Sequence, residues 1–286
     1  MSYSVELKFV REDDETLEMN KTTDYRIIDI TGIEASSYTH NTTSSEEDGA
    51  NIASTKIEPR PIEITGDIAK NSNEDDNRET LTRFFDPHQS GTMYITRNDV
   101  SRKIDYMVDA FVYKTNKIYQ FIQFTISLNC IEDPYFSDSS NYSNTITQIM
   151  PQFAFPLAIL ADTGKIMGYR QYDNKMPIVN SGDKETGIEI VITAKRGTMT
   201  NITITLNSSE YIKVNVDMEQ YDVLIINTNA RKKSVTLNGE NIINKIDKDS
   251  TFFSLKKGKN IFAYECDDGS ENIDIETNFY RKFLGV

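Results

Sequence analysis

The chain has 286 residues, of which 38% are hydrophobic and 26% are charged, and its formal net charge is -13. This composition predicts a folded protein, and the length suits two domains of about 100 to 150 residues each. The acidic balance argues against nucleic-acid recognition, and every apolar run falls far short of the roughly 20 residues that span a bilayer, which argues against membrane insertion.

The N-terminal half is predicted to be rich in β-strands, because apolar and polar residues alternate in several short runs. The predicted strands cover 25–30, 61–68, 92–95, 103–113 and 119–131. One short helix is predicted over 77–85, where apolar residues recur at helical spacing. We expect Asp75 or Asp76 to cap this helix and Asp86-Pro87 to end it.

A polar segment, residues 38–56, interrupts these strands and contains few apolar side chains. Such a segment cannot stabilise itself by burying apolar surface. We therefore predict a long arm or loop that is mobile unless a neighbour orders it, with a turn at Asp48-Gly49.

The boundary between the two domains is predicted in residues 137–148, which are rich in Ser and Asn and poor in charge, as linkers are. The predicted domains are 1–138 and 149–286. In this reading the strand 119–131 closes the first domain, and residues 153–157 open the second.

The C-terminal half shows short alternating runs at a spacing of about ten residues, which is typical of an all-β sandwich. The predicted strands cover 188–193, 202–206, 211–216, 223–226, 235–237, 252–255, 261–264 and 273–279. The chain as a whole is thus predicted to be all-β with one short helix.

Two turns are explicit in the C-terminal half. Asn238-Gly239 suits the two positive φ angles of a type I′ hairpin turn. Asp268-Gly269 is predicted to join strands 261–264 and 273–279 as a closing hairpin, whose last strand runs to the end of the sequence.

Catalytic chemistry is poorly supported by the sequence. Cys130 and Cys266 lie far apart and are predicted to be buried free thiols, and His40 and His88 lack the partner spacing of a metal site or a catalytic triad. Phosphate-binding loops, calcium loops and hydrolase motifs do not occur. We therefore predict no catalytic residue, no metal site, no cofactor and no enzymatic activity.

Two alternatives remain open at this stage. The sandwich pattern is compatible with a carbohydrate-binding module that docks on a cell wall, and the carboxylate pair of a glycan-active enzyme would meet in space rather than in sequence. Sugar sites usually stack the sugar on aromatic rings, and the chain has 15 Tyr and 14 Phe but no Trp. This composition weighs against both alternatives.

The order of several motifs resembles one known family. In the N-terminal half they are DYRIIDITGIE from Asp24, then Asp48-Gly49-Ala50, IEPRPIEITGDIA from Ile57, NRETLTRFF from Asn77 and FIQFTISLNCIEDPYFSD from Phe121. In the C-terminal half they are FAFPLA, IVNSGDKETGIEIVITA, LKKGKNIFAYE and YRKFLGV. This series resembles the phage distal tail protein family, also called the siphophage tail component family.

The resemblance implies a structural protein of the phage virion with a ring-forming N-terminal β-barrel or sandwich and a galectin-like C-terminal β-sandwich. It implies a homo-hexameric ring at the distal end of the tail, in the baseplate. The implied partners are the tail tube protein, the tape measure protein, the tail-tip hub and the receptor-binding proteins used in host attachment. Synthesis in the host bacterial cytoplasm without a signal peptide would follow.

The same resemblance, together with the polar arm, points to residues that contact a neighbouring subunit. These are Asp48, Gly49 and Ala50 in the arm and Arg60 in the strand that follows it.

Overall fold

The computed structural model describes residues 5–34, 37–44, 48, 50–69, 73–114, 122–145, 148–151, 168–171 and 175–286. The chain divides into two compact units, the first made of Met1–Ser139 with Lys282–Val286 and the second of Ser140–Arg281. Separate domains at 1–138 and 149–286 stay a prediction. The last five residues differ from it, because they lie in the first unit and not in the second.

The described elements are almost all strands, which confirms the predicted β-rich fold with one short helix. The strands are β1 (Val5–Arg11), β2 (Thr16–Met19), β3 (Tyr25–Thr31), β4 (Tyr38–Ser44), β5 (Ala50–Ile57), β6 (Arg60–Ile68), β7 (Ser90–Arg97), β8 (Val100–Lys114), β9 (Gln123–Cys130), β10 (Phe136–Asp138), β11 (Tyr142–Thr145), β12 (Gln148–Pro151), β13 (Gly168–Gln171), β14 (Lys175–Asn180), β15 (Glu189–Ala194), β16 (Met199–Leu206), β17 (Glu210–Met218), β18 (Val223–Asn227), β19 (Ser234–Leu237), β20 (Glu240–Asn241), β21 (Gly258–Asp268), β22 (Ile273–Phe279) and β23 (Lys282–Phe283). The helix is α1 (Glu74–Phe84).

The first unit is built on an antiparallel sheet with the strand order β2-β1-β7-β8-β9-β6-β3. Its end strands, β2 and β3, approach each other, so the sheet curves toward a barrel. β10 pairs with β8 on one side and with β23 on the other. Alternation decides which face is buried: in β6 (Arg60–Ile68) every second side chain is buried, and those between are exposed or half-buried.

Helix α1 covers part of the apolar face of this sheet. Phe84 and Phe85 are buried, and the ring of Phe9 on β1 meets their rings edge to face, at centroid distances of 6.5 and 5.1 Å. The predicted N-cap is wrong: the cap residue is Asn73, and its side chain makes no cap hydrogen bond. The acidic residues that follow Asn73 lie in the first turn, where their charge suits the helix dipole.

The polar arm is not an irregular loop. Its described residues form a hairpin, β4 (Tyr38–Ser44) and β5 (Ala50–Ile57), that pairs with no other strand of the described chain. Polar side chains join the strands: Asn41 Nδ2 donates to Ser54 Oγ at 2.9 Å, and His40 Nδ1 lies 2.9 Å from Thr55 Oγ1. A loop was predicted because the segment has no apolar face, but this hairpin does not need an apolar face in order to pair.

The second unit is a β-sandwich. One sheet has the order β11-β22-β15-β18-β19-β20, and the other has the order β14-β21-β16-β17. The two sheets share one core, in which Ile190 and Ile192 of β15 are fully buried together with Ile204 of β16 and Phe262 of β21. β12 and β13 pair separately. The predicted sandwich in the C-terminal half is confirmed.

Three details of the second unit differ from the predicted strands, hairpin and linker. Residues 252–255 form no strand; Leu255 makes only an isolated bridge to Thr186. β21 and β22 do not form a hairpin, because each pairs within a different sheet, and the chain then continues to β23 in the first unit. The Ser/Asn-rich boundary is partly β-structure, since β11 (Tyr142–Thr145) pairs with β22. The predicted opening segment 153–157 lies outside the described residues.

The Asn238-Gly239 turn has the predicted geometry. The φ angles are 50° and 86°, both positive, and the turn joins β19 and β20. Asn238 Oδ1 also accepts a hydrogen bond from the Val223 amide at 2.9 Å. The turn therefore fixes the end of the sheet by its backbone and by one side chain.

Gly239→Val is expected to lower the free energy of unfolding of the second unit by about 1 to 2 kcal/mol, because a β-branched residue is strained at positive φ. No atom lies within 4 Å of the position of an added Cβ, so strain and not a clash decides the effect. Urea unfolding followed by circular dichroism measures it. Gly239→Asn is the control, since Asn tolerates this conformation and should cost clearly less; equal losses would contradict the explanation.

Within the part of the chain that the structure describes, no helix is both long enough and apolar enough to cross a bilayer.

Candidate functional site

Arg60, at the start of β6, joins three separate segments of the first unit. The residue is only 3% exposed to solvent. Nε donates to Pro134 O at 2.7 Å, Nη1 donates to Gly32 O at 2.7 Å, and Nη2 donates to Leu284 O at 2.6 Å. The planar guanidinium is the side chain best suited to hold several carbonyls in fixed directions.

Arg60 also lies against an aromatic ring and beside a buried cysteine. Its guanidinium carbon lies 4.8 Å from the centre of the Phe136 ring, and Cys130 is its partner across the β6–β9 ladder. Burial lowers the pKa of Arg60 below its ordinary value, and nearby Cys130 and Tyr38 oppose the shift. An arginine stays protonated at neutral pH, so the charge strengthens all three hydrogen bonds.

Residues 282–286 are anchored around this arginine. β23 pairs with β10, placing Phe283 opposite Phe136. Lys282 Nζ lies 2.6 Å from Asp133 Oδ2, and the Val286 amide donates to Ile33 O at 3.0 Å. The segment thus contacts the first unit by strand pairing, by an ion pair and by a backbone bond to a loop.

Two further arginines hold the same segment. Arg102 lies over the Phe283 ring, with its guanidinium carbon 3.8 Å from the ring centre, and it donates to Gly285 O. Arg97 donates to Val286 O at 3.3 Å. A Cβ added at Gly285 would lie 1.9 Å from Glu34 O, so only glycine fits this approach of the two backbones. We call residues 282–286, with Arg60, Arg97 and Arg102, the tail anchor.

The residues predicted to contact a neighbouring subunit lie in different environments. Asp48 is exposed in a bend between β4 and β5, Ala50 is exposed at the start of β5 and pairs with Ser44, and Gly49 lies outside the described residues. Arg60 is buried and bound to carbonyls of its own chain. Its subunit contact stays a prediction, and we expect any such contact to come through the loops that it holds.

Arg97, Arg102 and the tail anchor as a whole were not predicted from the sequence. The closing motif YRKFLGV was noted only as part of a resemblance. Its dense mixture of basic, aromatic and glycine residues was the one signal that could have marked it.

The free side of β3 forms a second surface feature. β3 ends the strand order of its sheet, and a register shift at Ile28 leaves that side chain 53% exposed. A cavity of about 520 Å³ lies beside it, lined by apolar residues of β3 and by charged residues of both signs, among them Lys21, Arg97 and Asp29. An edge strand of this kind presents backbone groups to another strand.

Groups that carry chemistry are sparse in the described residues. They contain no cluster of three or more His, Cys, Asp or Glu residues that could hold a metal ion. His40 is exposed on β4, and His88 is exposed after α1. Cys130 is buried and Cys266 is half-buried, both as free thiols. Burial raises the pKa of each thiol to about 12.

These thiols should react slowly in the native protein. At pH 8 we expect a disulfide-exchange reagent to modify Cys130 and Cys266 at least about tenfold more slowly in buffer than in urea, since the thiolate is the reacting form. The raised pKa also predicts that their contribution to stability is fully present below the ordinary value of 9.0 and is lost as pH rises from 9 toward 12. Cys130→Ala should flatten this alkaline loss in the first unit; an unchanged pH profile would contradict the assignment.

Two family profiles match this chain, one in each unit. A profile described as phage tail protein RIFT-related domain matches residues 13–130, and one described as siphovirus-type tail component, C-terminal domain, matches residues 181–282. No curated protein sequence is similar enough to this chain to count as a relative.

Solved structures share the fold over the whole chain. The Dit protein of phage SPP1, described as a paradigm of the hub of the adsorption apparatus in phages that infect Gram-positive bacteria, has a TM-score of 0.65 at 16% identity, covering 99% of this chain and 100% of that one. Chains of the phage P2 baseplate in its activated conformation with Ca and with Sr have TM-scores of 0.56 and 0.55 at 13% and 14% identity, with 100% coverage of both chains in each case. With one tail-component family profile in each unit, the chain belongs to the siphophage distal tail protein family.

Proposed function

We propose that this chain is the structural hub of a phage tail baseplate, forming a ring that links the tail tube to the tail tip and the receptor-binding apparatus. One observation carries the proposal: the fold matches, end to end, a protein described as a hub of an adsorption apparatus. The two family profiles support it independently, since each describes a tail component. The role is structural and not enzymatic.

The exposure of the hairpin β4–β5 favours the proposed ring. All its described residues are exposed except Ile57, which is half-buried, so it packs no apolar face against its own subunit. An isolated two-stranded hairpin is marginally stable in water. A neighbouring subunit that covers the hairpin would stabilise it, and in a closed ring every subunit offers the same surface to the next.

The free edge of β3 is the surface on which we expect the hairpin of the next subunit to lie. Addition of a strand to an exposed edge satisfies its backbone groups and protects it from unwanted pairing. Ile28 on this edge and Ile52 on the hairpin, which are 53% and 64% exposed, would both lose solvent contact. Asp48 and Ala50 lie where the hairpin turns and would fall within the same contact.

The proposed assembly is a homo-hexamer at the distal end of the virion tail. Its partners would be the tail tube protein, the tape measure protein, the tail-tip hub and the receptor-binding proteins. Synthesis and assembly in the bacterial cytoplasm fit a particle of this kind, which requires no export of its parts.

The mass of the purified chain in solution tests this proposal directly. We expect native mass spectrometry to show six copies and negative-stain images to show rings with six-fold symmetry. A protein that stays monomeric at high concentration, and that is stabilised against heat by cell-wall glycans, would overturn the hub proposal in favour of a carbohydrate-binding module.

A further inference from the structure

The first unit is assembled from two stretches that are far apart in sequence. Met1–Ser139 supplies most of it, and Lys282–Val286 supplies the rest, with the entire second unit, Ser140–Arg281, between them. Residues 282–286 therefore leave the ribosome only after residues 140–281 have been made.

The first unit is incomplete without these five residues. Arg60, which is buried in the complete chain, would lose Leu284 O as an acceptor of its guanidinium. β10 would lose its pairing with β23, and Phe283 and Val286 would no longer pack against the core. The carbonyl of buried Ile33 would lose the hydrogen bond that it accepts from the Val286 amide. An arginine with one acceptor fewer and an Ile33 carbonyl without its donor are costly, so we expect this part of the unit to differ from its final form until the segment is in place.

The tail anchor binds the backbone of residues 284–286 in addition to the side chains of Lys282 and Phe283. Arg60, Arg97 and Arg102 donate to main-chain oxygens of Leu284, Val286 and Gly285, respectively. The absence of a side chain at Gly285 lets the segment approach Glu34 O closely. Three arginines on the main-chain oxygens of three successive residues, together with a glycine at the closest approach, form a binding site that fits this segment.

We propose that residues 282–286 are a completion segment: the first unit reaches its final form, and becomes competent to join a ring, only after the second unit has been synthesised. The consequence for assembly rests on the proposed ring function. That residues 282–286 complete the first unit does not rest on the ring function, because every contact involved lies within a single copy of the chain. Such a device would keep unfinished chains out of the ring.

Hydrogen exchange of the full chain, at a dilution where it is monomeric, tests the completion step. Gly285→Ala introduces a methyl group against Glu34 O, and Arg102→Gln removes a donor and the contact with Phe283. Both are expected to raise amide exchange in residues 32–34 and 134–138 by about tenfold or more. The sandwich strands of the second unit serve as the internal reference, and Arg231→Gln on an exposed loop is the matched control.

Arg102→Gln is the milder change and keeps the test decisive if Gly285→Ala does not fold. Unchanged exchange in residues 134–138 of either folded variant would overturn the proposal, since residues 282–286 would then have no effect on the form of the first unit. Ring formation by the same variants is read separately. If amide exchange rises and rings form as in the wild type, completion of the first unit is not required for ring assembly, although the hub function holds. If the wild type forms no ring, the hub function fails while the exchange result still decides completion.

The order of events is tested on stalled ribosomes. The full chain is extended after residue 286 by one of two linkers. A long linker lets residues 282–286 leave the exit tunnel, and a short linker keeps them inside it. We expect protease resistance of residues 5–138 only with the long linker, and Gly285→Ala with the long linker should digest like the short-linker chain. Equal resistance of residues 5–138 with both linkers would refute a completion role.

Discussion

Replacing Arg60 with methionine is expected to lower the free energy of unfolding of the first unit by about 3 to 5 kcal/mol. The methionine keeps the apolar stem of the side chain but leaves Gly32 O, Pro134 O and Leu284 O without their donor. A buried acceptor that loses its partner costs about 1 to 3 kcal/mol, and charge-assisted bonds are the stronger kind. Three such losses at one residue give the expected range after partial rehydration.

The measurement is urea unfolding followed by tyrosine fluorescence, which suits a chain without Trp. Arg60→Lys restores the charge but donates from a single nitrogen, which cannot reach three carbonyls lying in different directions, so it should recover only part of the loss. Arg231→Met, on an exposed loop, should change stability by less than about 0.5 kcal/mol. A loss below about 1 kcal/mol for Arg60→Met would show that water replaces the guanidinium at little cost.

Local pattern was sufficient to predict the strands that bury one face. In β6 and β15 every second residue is buried, and this period of two is written directly in the sequence. The Asn238-Gly239 turn was predictable for the same reason, because two adjacent residues determine its geometry. Elements of this kind carry their own signal, independent of what they pair with.

Other strands exist because of partners far away in the chain. β10, β11 and β23 are two to four residues long, and each is defined by its ladder to a distant strand. The β4–β5 hairpin buries no apolar face, so periodicity could not reveal it. Polar cross-strand pairs such as Asn41 with Ser54 produce no hydrophobic pattern.

The tail anchor was beyond prediction for a related reason. The three carbonyls that Arg60 binds are 28, 74 and 224 residues away from it in sequence. No periodicity or spacing rule links an arginine to the backbone of such distant residues. A buried arginine also contradicts the usual expectation that charged residues are exposed, and the resemblance pointed only to a subunit contact for Arg60.

Deleting residues 42–51 is expected to abolish ring formation while leaving both units folded. The deletion removes the outer half of a hairpin whose described residues there are exposed, so the described residues of neither core lose a contact. Ordering a polar segment costs about 1 to 2 kcal/mol per residue in backbone entropy, a cost that only a partner surface can offset. Circular dichroism should show an essentially unchanged β content, and native mass spectrometry should show monomers. A ring that resists dilution as well as the wild type would reduce the hairpin to a solvated feature of the surface.

A pair of matched point variants separates the hairpin from exposed strands in general. Ile52→Asp on β5 and Val179→Asp on β14 make the same kind of change at residues that are 64% and 57% exposed. If a neighbouring subunit covers Ile52, the variant loses about 1.5 to 3 kcal/mol of apolar burial at each contact, which corresponds to a tenfold or larger weakening. Val179→Asp should assemble as the wild type does, because the proposed contact does not include the second unit. Equal behaviour of the two variants would show that exposure alone, and not a contact through the hairpin, governs the response of the ring.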